Sequence, residues 1–571
     1  MIRPIAMRAL APILLLVALA PTALGGCADR ALAQDFERDS GGQRADAASA
    51  SQRFRGVLAP RRVESAKIAI AVGGLVLLGW GGYLSRAGRA GERRRLRDAL
   101  LIGLGVAGLA AWWNFLQFHY PRFFHESDAY HYVIGAKYFP ELGYSRLYAC
   151  AVLADERAGL GEGLAKAHVR DLATNQVVEA SQILSDPSQC TERFSDARWQ
   201  AFQRDIAWFR NRHAPQQWRR VHLDHGYNAT PAWTLLGWWL TNLDAPPEVA
   251  IARLVWLDPL LLLAMWACVA WAFGWRILCV AWISWGTIQT AAFAWTGGGI
   301  LRQGWLATMV IGICLLRRQR PFGGGFLLAW AALLRVFPGL VLAGLGLQAL
   351  LEIVRRRQLT LSLEHRRIAL GALLAVAIAL PSSAYIAGGV GVWRDFVQNS
   401  RTHLDTPLRN YLGLKTLLSY DHATRTVVSG DQRQPDRFAV WKQGRHSAFE
   451  RRRPYYYALC LGFACLFVAA VRDQPAWVAA TLGIGWIPFS VELTGYYYSL
   501  LLIYAFLCNR ATVIGPALCA FSALSWLSVS LWHSYDESYT WTSLAALSLT
   551  VAVTGSLIWA KTNAATPESE S

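Results

Sequence analysis

The stretch SRAGRAGERRRLR, residues 85–97, separates two apolar runs and decides how the chain folds. The runs cover residues 68–85 and 99–118, each close to the roughly 20 residues that an α-helix needs to cross a bilayer. Six arginines lie in the stretch, and short loops rich in Lys and Arg stay on the cytoplasmic side of a membrane. The pattern predicts two membrane-crossing helices, with residue 119 onward on the outer side.

The composition agrees with a membrane protein. Of 571 residues, 54% are hydrophobic and only 16% are charged, although the net charge is +18. A basic chain raises the question of nucleic acid, but here the arginines form short clusters beside apolar runs, where cytoplasmic anchoring accounts for them. We therefore expect membrane lipids as partners and no nucleic acid.

Apolar runs recur along the rest of the chain and predict an all-α polytopic membrane protein. The further candidate spans are residues 254–273, 277–295, 301–316, 368–386, 455–471, 476–491, 498–508, 513–531 and 543–560.

Residues 321–354 differ from these spans. Two apolar pieces of roughly fifteen residues, too short to cross, flank Arg335-Val-Phe-Pro338. Basic clusters at residues 317–320 and 355–357 place both ends in the cytoplasm. The segment predicts a hairpin of short helices with Arg335 at its outer tip.

The alternation of charge gives a domain plan. It consists of a signal peptide or signal anchor (1–33), a polar linker (34–66), a first transmembrane pair (67–118), a large extracytoplasmic loop (119–249), a transmembrane core with the hairpin (250–386), a second extracytoplasmic loop (387–453), C-terminal transmembrane helices (454–561) and a cytoplasmic tail (562–571). Arg451-Arg-Arg453 is the one basic cluster on the outer side, which long translocated loops tolerate. Lipidation of Cys27 is a further alternative at the N-terminus.

Two features of the large outer loop leave alternatives open. Cys150 and Cys190 share it and are candidates for a disulfide in an oxidising compartment. Aromatic and aliphatic residues recur every three to five positions between Phe194 and Phe209, among arginines. This pattern suits an amphipathic helix that lies on an anionic membrane surface or one that packs under its own domain.

The chemistry-bearing segment is HESDAYHYVIGAKYF, residues 125–139. Glu126 and Asp128 follow a membrane face closely, where carboxylates remain ionised and one of them can take a proton from a hydroxyl. The alternative is a capping role, with Ser127 or Asp128 as the N-cap of a helix from 129 to 139 that Pro140 ends.

Helical spacing from Asp128 places His131 and Tyr138 near one face of that helix, with Lys137 on another. All three are candidates for substrate binding. An interfacial helix with a tyrosine belt is the competing interpretation.

Three motifs carry a resemblance to a known family. The Glu-x-Asp motif in the first large outer loop resembles the GT-C glycosyltransferases, polytopic enzymes that use sugars linked to polyprenyl phosphate. GGILRQGW (298–305) and LLRVFPG (333–339) are similar to segments of glycosyltransferase family 87, whose members depend on polyprenyl-phosphate mannose. Arg335 departs from that pattern, because many relatives carry lysine there.

The resemblance implies a GT-C-like helical bundle in the cytoplasmic (inner) membrane, with its active site on the extracytoplasmic or periplasmic side. It implies an inverting transfer of a hexose, mannose in that family, from a polyprenyl-phosphate donor to a glycan, lipid or protein acceptor. Asp128 is then the general base, and Glu126 orients the acceptor or holds a divalent metal.

The remaining candidates bind the donor or line the site. Arg335, Arg302 and Lys415 are expected to bind the donor phosphate, since a guanidinium can hold phosphate oxygens in a bidentate way. Glu492, Tyr496 and Tyr497 are expected to contact the substrate.

Three other functions are compatible with a polytopic architecture. A lipid or sugar transporter normally places ionisable residues on broken helices near mid-membrane, whereas the charges here cluster at the ends of the spans. A glycan ligase uses a lipid-diphosphate donor, and a non-catalytic assembly subunit needs none of these residues.

Overall fold

The computed structural model describes residues 58–120, 122–160, 163–243, 247–431, 434, 436–532 and 535–565. The predicted signal peptide or anchor, Cys27 and most of the polar linker lie outside these residues. The described chain is mostly helical and has only four short strands, which confirms the all-α class.

The first two helices and the outer segment after them come first in the chain. They comprise α1 (Pro60–Arg86), α2 (Arg94–Trp112), α3 (Glu126–Ala129), a π-helix (Tyr130–Ile134), α4 (Gly135–Lys137), α5 (Phe139–Leu142), α6 (Leu147–Asp155), a second π-helix (Glu156–Leu160), β1 (His168–Asp171), β2 (Gln176–Glu179), α7 (Ala180–Leu184), α8 (Ser188–Thr191), α9 (Asp196–Arg212), α10 (Pro215–Val221) and α11 (Pro231–Thr241).

The central part of the chain is a series of apolar helices with a short outer segment. It comprises α12 (Pro247–Leu254), α13 (Leu257–Phe273), α14 (Trp275–Thr287), α15 (Phe293–Thr296), α16 (Gly304–Arg317), α17 (Pro321–Leu334), a 3₁₀-helix (Phe337–Leu340), α18 (Val341–Arg356), α19 (Leu363–Ile386), α20 (Gly391–Leu404), β3 (Tyr411–Leu412), α21 (Leu414–Ser419) and α22 (Thr426–Ser429).

The C-terminal part completes the bundle. It comprises α23 (Ala439–Val471), α24 (Ala476–Gly483), α25 (Trp486–Ser490), β4 (Leu493–Thr494), a 3₁₀-helix (Gly495–Leu507), α26 (Ile514–Leu531) and α27 (Tyr535–Ala565). Two small antiparallel pairs, β1 with β2 and β3 with β4, are the strand pairings of the described chain.

Seven helices are long and apolar enough to cross a membrane, so the chain is a multi-pass membrane protein by architecture. They are Pro60–Arg86, Val249–Phe273, Phe337–Arg356, Leu363–Ile386, Ala439–Val471, Ile514–Leu531 and Tyr535–Ala560. Shorter apolar helices fill the bundle between them, including α16 and α17.

Residues 321–354, predicted as a hairpin of two short helices, form two helices around Arg335, but the second is longer than expected. With the 3₁₀ turn before it, α18 forms Phe337–Arg356, one of the seven helices long enough to cross a membrane, so the expectation that both pieces are too short is wrong for this one. α17 and α18 flank Arg335, whose backbone is extended, and a single 3₁₀ turn that contains Pro338 leads into α18. A proline lacks the backbone N–H that a helix interior requires, so it is placed at the start of this turn.

The ends of several predicted segments differ from the structure. α1 begins at Pro60, inside the predicted linker, and α2 ends at Trp112 instead of continuing to residue 118. α14 ends at Thr287 instead of 295. After α2 the chain enters a turn in which five non-glycine residues have positive φ: Asn114, Phe115, Leu116, Phe118 and Tyr120. Such angles interrupt a right-handed helix.

α23 accounts for the basic cluster that did not fit the charge rule. The helix begins at Ala439, so residues 439–453 are helical and not part of an irregular loop. Its 33 residues span about 50 Å, well beyond the roughly 30 Å of a hydrocarbon core. Arg451-Arg-Arg453 therefore lies on a helix long enough to extend past the bilayer.

Pairs of charged residues join loops that the charge pattern assigned to the cytoplasm. Arg276 donates to Asp98 at 2.8 Å, and Arg355 donates to Asp473 at 2.7 Å. Residues assigned to one side of the membrane therefore meet at one end of the bundle. Which compartment that end faces stays a prediction.

The outer segment 119–243 is a packed unit. Cys150 and Cys190 form a disulfide between α6 and α8. Phe202, Ile206 and Phe209 of α9 are completely buried, so this helix packs under its own domain. Of the two interpretations of its pattern, the membrane-surface interpretation is therefore wrong.

Candidate functional site

The segment that carries Asp128 starts a helix earlier than predicted. α3 begins at Glu126, and the ring Nδ1 of His125 accepts the backbone N–H of Asp128 at 3.2 Å, so His125 is the N-cap. The predicted caps, Ser127 and Asp128, are inside the helix instead. The helical segment ends at Lys137, two residues before the predicted end, and Pro140 lies in the first turn of the next helix, α5.

Two tethers hold this segment against the glycine-rich loop before α16. His119 Nε2 lies 2.9 Å from the carbonyl oxygen of Gly297, and the backbone N–H of His125 donates to the carbonyl of Gly298 at 3.0 Å. Gly298 has φ +65°, and a Cβ there would collide with the carbonyl of Phe123. Glycine is therefore required for this close approach.

Asp128 forms an ion pair with Arg302. The guanidinium donates to Asp128 Oδ1 at 2.8 Å, and both side chains are about nine-tenths buried. The second oxygen, Oδ2, is buried and has no hydrogen-bond partner among the described residues. A Cβ on Gly299 would lie 2.7 Å from that oxygen, so a side chain at position 299 would crowd it.

Two arginines and three tyrosines complete the cluster. The guanidinium groups of Arg302 and Arg335 each lie 5.5 Å from the ring of Tyr132, on which they make cation–π contacts. Arg302 also lies 4.6 Å from the Tyr496 ring, and Arg335 lies 5.8 Å from the Tyr497 ring. Asp128, Arg302, Arg335, Tyr496 and Tyr497, all predicted from the sequence as site residues, therefore lie in one cluster.

Arg335 is buried without a counterion. It is 7% exposed and donates to the Tyr132 hydroxyl at 2.9 Å, while that hydroxyl donates to Asn228 at 3.0 Å. Within the described ranges, no carboxylate lies within ion-pair distance of Arg335. Guanidinium offers five N–H donors, so most of its capacity remains unused.

Asp258 supports the backbone of Arg302. It is buried in α13, and its two carboxylate oxygens accept the backbone N–H groups of Arg302 at 2.9 Å and Gln303 at 3.1 Å. These groups lie at the start of α16, where backbone N–H groups lack partners within the helix. Asp258 thus fixes the loop from which the Arg302 side chain extends.

Glu126 points to a different pair of cations. Arg122 donates to Glu126 Oε2 at 2.8 Å, and Arg212 Nε lies 3.5 Å from Oε1. The two acids of the Glu-x-Asp motif are both in the first turn of α3, but they diverge. They do not converge on one point, as extended backbone would allow.

Glu492 and Lys415 form a neighbouring ionic group. Glu492 is buried and accepts from Thr416 at 2.8 Å, pairs closely with Arg445, and lies 3.5 Å from Lys415 Nζ. Two cations therefore share one carboxylate, and Lys415 is the exposed member.

His131, Lys137 and Tyr138 lie in the interior of the outer unit. His131 Nε2 is 2.7 Å from the Tyr148 hydroxyl, and both Lys137 and Tyr138 donate to Asp205, at 2.7 and 2.8 Å. Among the described residues, no hydrogen bond or ion pair joins these three side chains to Asp128. Their proposed role in substrate binding stays a prediction that no contact supports.

Tyr132, Asp258 and Arg445 take part in these contacts but were not predicted from the sequence. Tyr132 follows Asp128 by four residues, a spacing that suits one helix face. The π-helix at Tyr130–Ile134 changes that spacing, and π-turns are frequent at functional sites. For Asp258 the available signal was a carboxylate within an apolar run, because such residues are costly and usually have a role.

The histidines beside Asp128 are neutral at physiological pH. Burial lowers the pKa of His119 to about 3, and burial also lowers the pKa of His125.

The sequence left a divalent metal open as a cofactor. In the described chain, no group of three or more His, Cys, Asp or Glu side chains is placed to bind a metal ion.

The fold and this cluster define a helical multi-pass membrane protein with a buried acid and two buried arginines at one end of its bundle. Searches for a matching protein-family model, curated protein or solved structure find none for this chain. The resemblance to the GT-C glycosyltransferases therefore remains a resemblance in motifs.

Proposed function

We propose that this chain is a membrane glycosyltransferase that transfers a hexose from a polyprenyl-phosphate donor to a hydroxyl of an extracytoplasmic acceptor, with inversion. The proposal rests on the Asp128–Arg302–Arg335 cluster, whose parts come from three separate segments of the chain. The sugar, mannose in the family that the motifs resemble, and the acceptor, a glycan, lipid or protein, belong to the proposal.

The observation that carries it is the unpaired burial of Arg335. Leaving one charge of a buried pair without its partner costs about 3–5 kcal/mol, so proteins seldom keep such a group without a ligand that compensates it. Asp128 already pairs with Arg302, and Glu126 and Glu492 have their own cations. A phosphate placed between Tyr132 and Tyr497 would supply the missing negative charge.

In the proposed transfer, Asp128 removes a proton from the acceptor and the arginines stabilise the departing phosphate. The acceptor hydroxyl gives its proton to Asp128 Oδ2 while its oxygen bonds to the anomeric carbon of the sugar. The bond between that carbon and the donor phosphate oxygen breaks on the opposite face, which inverts the configuration. Arg335 and Arg302 then offset the charge that develops on the departing phosphate.

The test is a transfer assay with purified chain in proteoliposomes and labelled polyprenyl-phosphate sugars. Asp128→Asn should lower turnover at least about a hundredfold, as loss of a general base does. Asp196→Asn, which alters an exposed acid of the same outer unit, is the control and should leave turnover unchanged. Near-normal turnover of Asp128→Asn would reject the assignment, and export of the sugar without transfer would favour a transporter.

A further inference from the structure

Helix α20 presents an unpacked face directly after a membrane-spanning helix. α19 ends at Ile386, and a short turn with Gly388 and Gly389 at positive φ redirects the chain into α20. Val390, Val397 and Leu404 of the α20 segment are 84%, 46% and 55% exposed. Their spacing of seven residues keeps them on one side of the helix.

The opposite side of α20 packs on the protein. Val392 and Phe396 are buried, and the Phe396 ring lies 6.2 Å from that of Tyr144 in the outer unit. The His403 ring lies 5.6 Å from that of His225. α20 is therefore held in place by its inner face, and the exposed apolar side chains are not needed for that packing.

The order of side chains around α20 follows the layers of a membrane surface. At about 100° per residue, the apolar side chains cover a sector of roughly 60° next to the packed face. The sector is formed by Trp393, Leu404, Val397 and Val390. Arg401 and Arg394 come next, at about 20° and 40° from Val390, and Asp405 and Gln398 follow at about 60° and 80°. Asp395, at about 140°, lies nearly opposite the apolar sector.

This order separates hydrocarbon, phosphate and water. Apolar side chains suit the acyl boundary, arginines suit the headgroup phosphates, and acids suit the aqueous side. Arg394 and Arg401 are exposed, and neither has an ion-pair partner in the part of the chain that the structure covers. They remain available to an external anion.

We propose that α20 lies in the plane of the membrane surface and binds the phosphate headgroups of anionic lipids through Arg394 and Arg401. Its apolar edge contacts acyl chains, and its inner face holds the outer unit close to the spanning helices. The inference is independent of glycosyl transfer, because it uses no residue of the Asp128 cluster.

Photo-crosslinking tests the lipid contact. The full chain, carrying benzoylphenylalanine at Val397, is reconstituted in vesicles of equal phosphatidylglycerol and phosphatidylcholine and irradiated. Mass spectrometry should find lipid adducts at position 397 and at the more exposed position 390. The adjacent position 398, on the aqueous side, is the matched control and should give at least about tenfold fewer adducts, because it lies outside the apolar sector.

Lipid selectivity tests the role of the arginines. Phosphatidylglycerol should be enriched about threefold or more among the adducts at 397, and Arg394→Gln with Arg401→Gln should reduce it to its share of the vesicle. Equal adducts at 397 and 398, or adducts at 397 to a second copy of the chain, would overturn the proposed orientation. Adducts at 397 with no preference for phosphatidylglycerol would overturn the proposed anionic-lipid site.

Discussion

The residues Arg302 and Arg335 have opposite electrostatic situations, and this difference gives a stability prediction. Arg302→Met leaves the buried carboxylate of Asp128 without its cation and should lower the free energy of unfolding by about 3–5 kcal/mol. Arg335→Met removes a buried charge that has no anion, so it should leave unfolding unchanged or stabilise the protein slightly. Thermal unfolding in detergent, without donor, measures both.

Donor binding should depend on Arg335, although the stability of the protein should not. Arg335→Met should raise the KM for the polyprenyl-phosphate donor about tenfold or more, because charge-assisted hydrogen bonds to phosphate are lost. Comparable losses of stability in the two variants would mean that Arg335 has a compensating partner and is not kept for a ligand.

At the residue scale, the sequence predicted which charged residues form the cluster better than it predicted which side chains contact them. Asp128, Arg302 and Arg335 were recognised from short polar motifs beside apolar runs, and they meet in space. His131 was placed with Asp128 by helical spacing, but the structure places Tyr132, the i+4 residue, beside the arginines and His131 beside Tyr148. Helical spacing allows both residues, and tertiary packing decides between them.

At the scale of elements, helix crossings depend on glycines that hydropathy does not register. α2 and α14 approach so closely that a Cβ on Gly286 would overlap the backbone of Gly108. The contact positions Trp112, which stacks on Trp285 at 4.2 Å and ends α2 just before the strained turn toward His119. Small residues at such crossings let helix backbones meet.

Gly286→Ala should therefore destabilise the protein by about 1–3 kcal/mol through overpacking. Gly103→Ala, on the open face of α2 where a Cβ meets nothing, is the control and should be neutral or stabilise by about 0.5–1 kcal/mol through helix propensity. Thermal unfolding of both variants in the same detergent tests this. Equal changes in stability for the two variants would show that α2 and α14 can move apart at little cost.

Element boundaries were the weaker part of the sequence prediction. The apolar run 99–118 continues beyond the end of α2 because the turn residues Phe115, Leu116 and Phe118 are themselves apolar. In the same way, α23 continues before its apolar run because polar residues such as Lys442 and Arg445 pack or pair on its extension. Hydropathy follows burial in lipid or protein and does not follow backbone conformation.

For the whole molecule, the charge pattern predicted which loops share an end of the bundle. Arg276 with Asp98 and Arg355 with Asp473 join loops placed on one side, while Asp128 with Arg302 joins loops placed on the other. What the pattern did not give was the interior of the outer unit. Its buried histidines find partners such as Tyr130 and Tyr148 only after long-range folding.

Those histidines give the molecule a pH-dependent stability. Burial lowers the pKa of His222 in the outer unit to about 3, and burial lowers the pKa of His403, on α20 next to that unit, to about 4; both values lie below the 6.5 of an accessible imidazole. Between these values and pH 6.5 the unfolded chain binds more protons than the folded one, so stability rises with pH across this window and is lost as pH falls.

Each such histidine should contribute up to about 1.4 kcal/mol per pH unit, so His222 alone should cost about 2 kcal/mol at pH 5 relative to neutral pH. Unfolding of the purified protein followed from pH 8 to pH 4.5 measures the slope. His222→Gln keeps a polar side chain beside Tyr130 but cannot titrate. It should therefore lower the difference in bound protons between the unfolded and folded states, which the slope reports, by up to one proton. An unfolding free energy that stays constant below pH 6.5, or a slope that His222→Gln leaves intact, would mean that water reaches these rings in the folded outer unit.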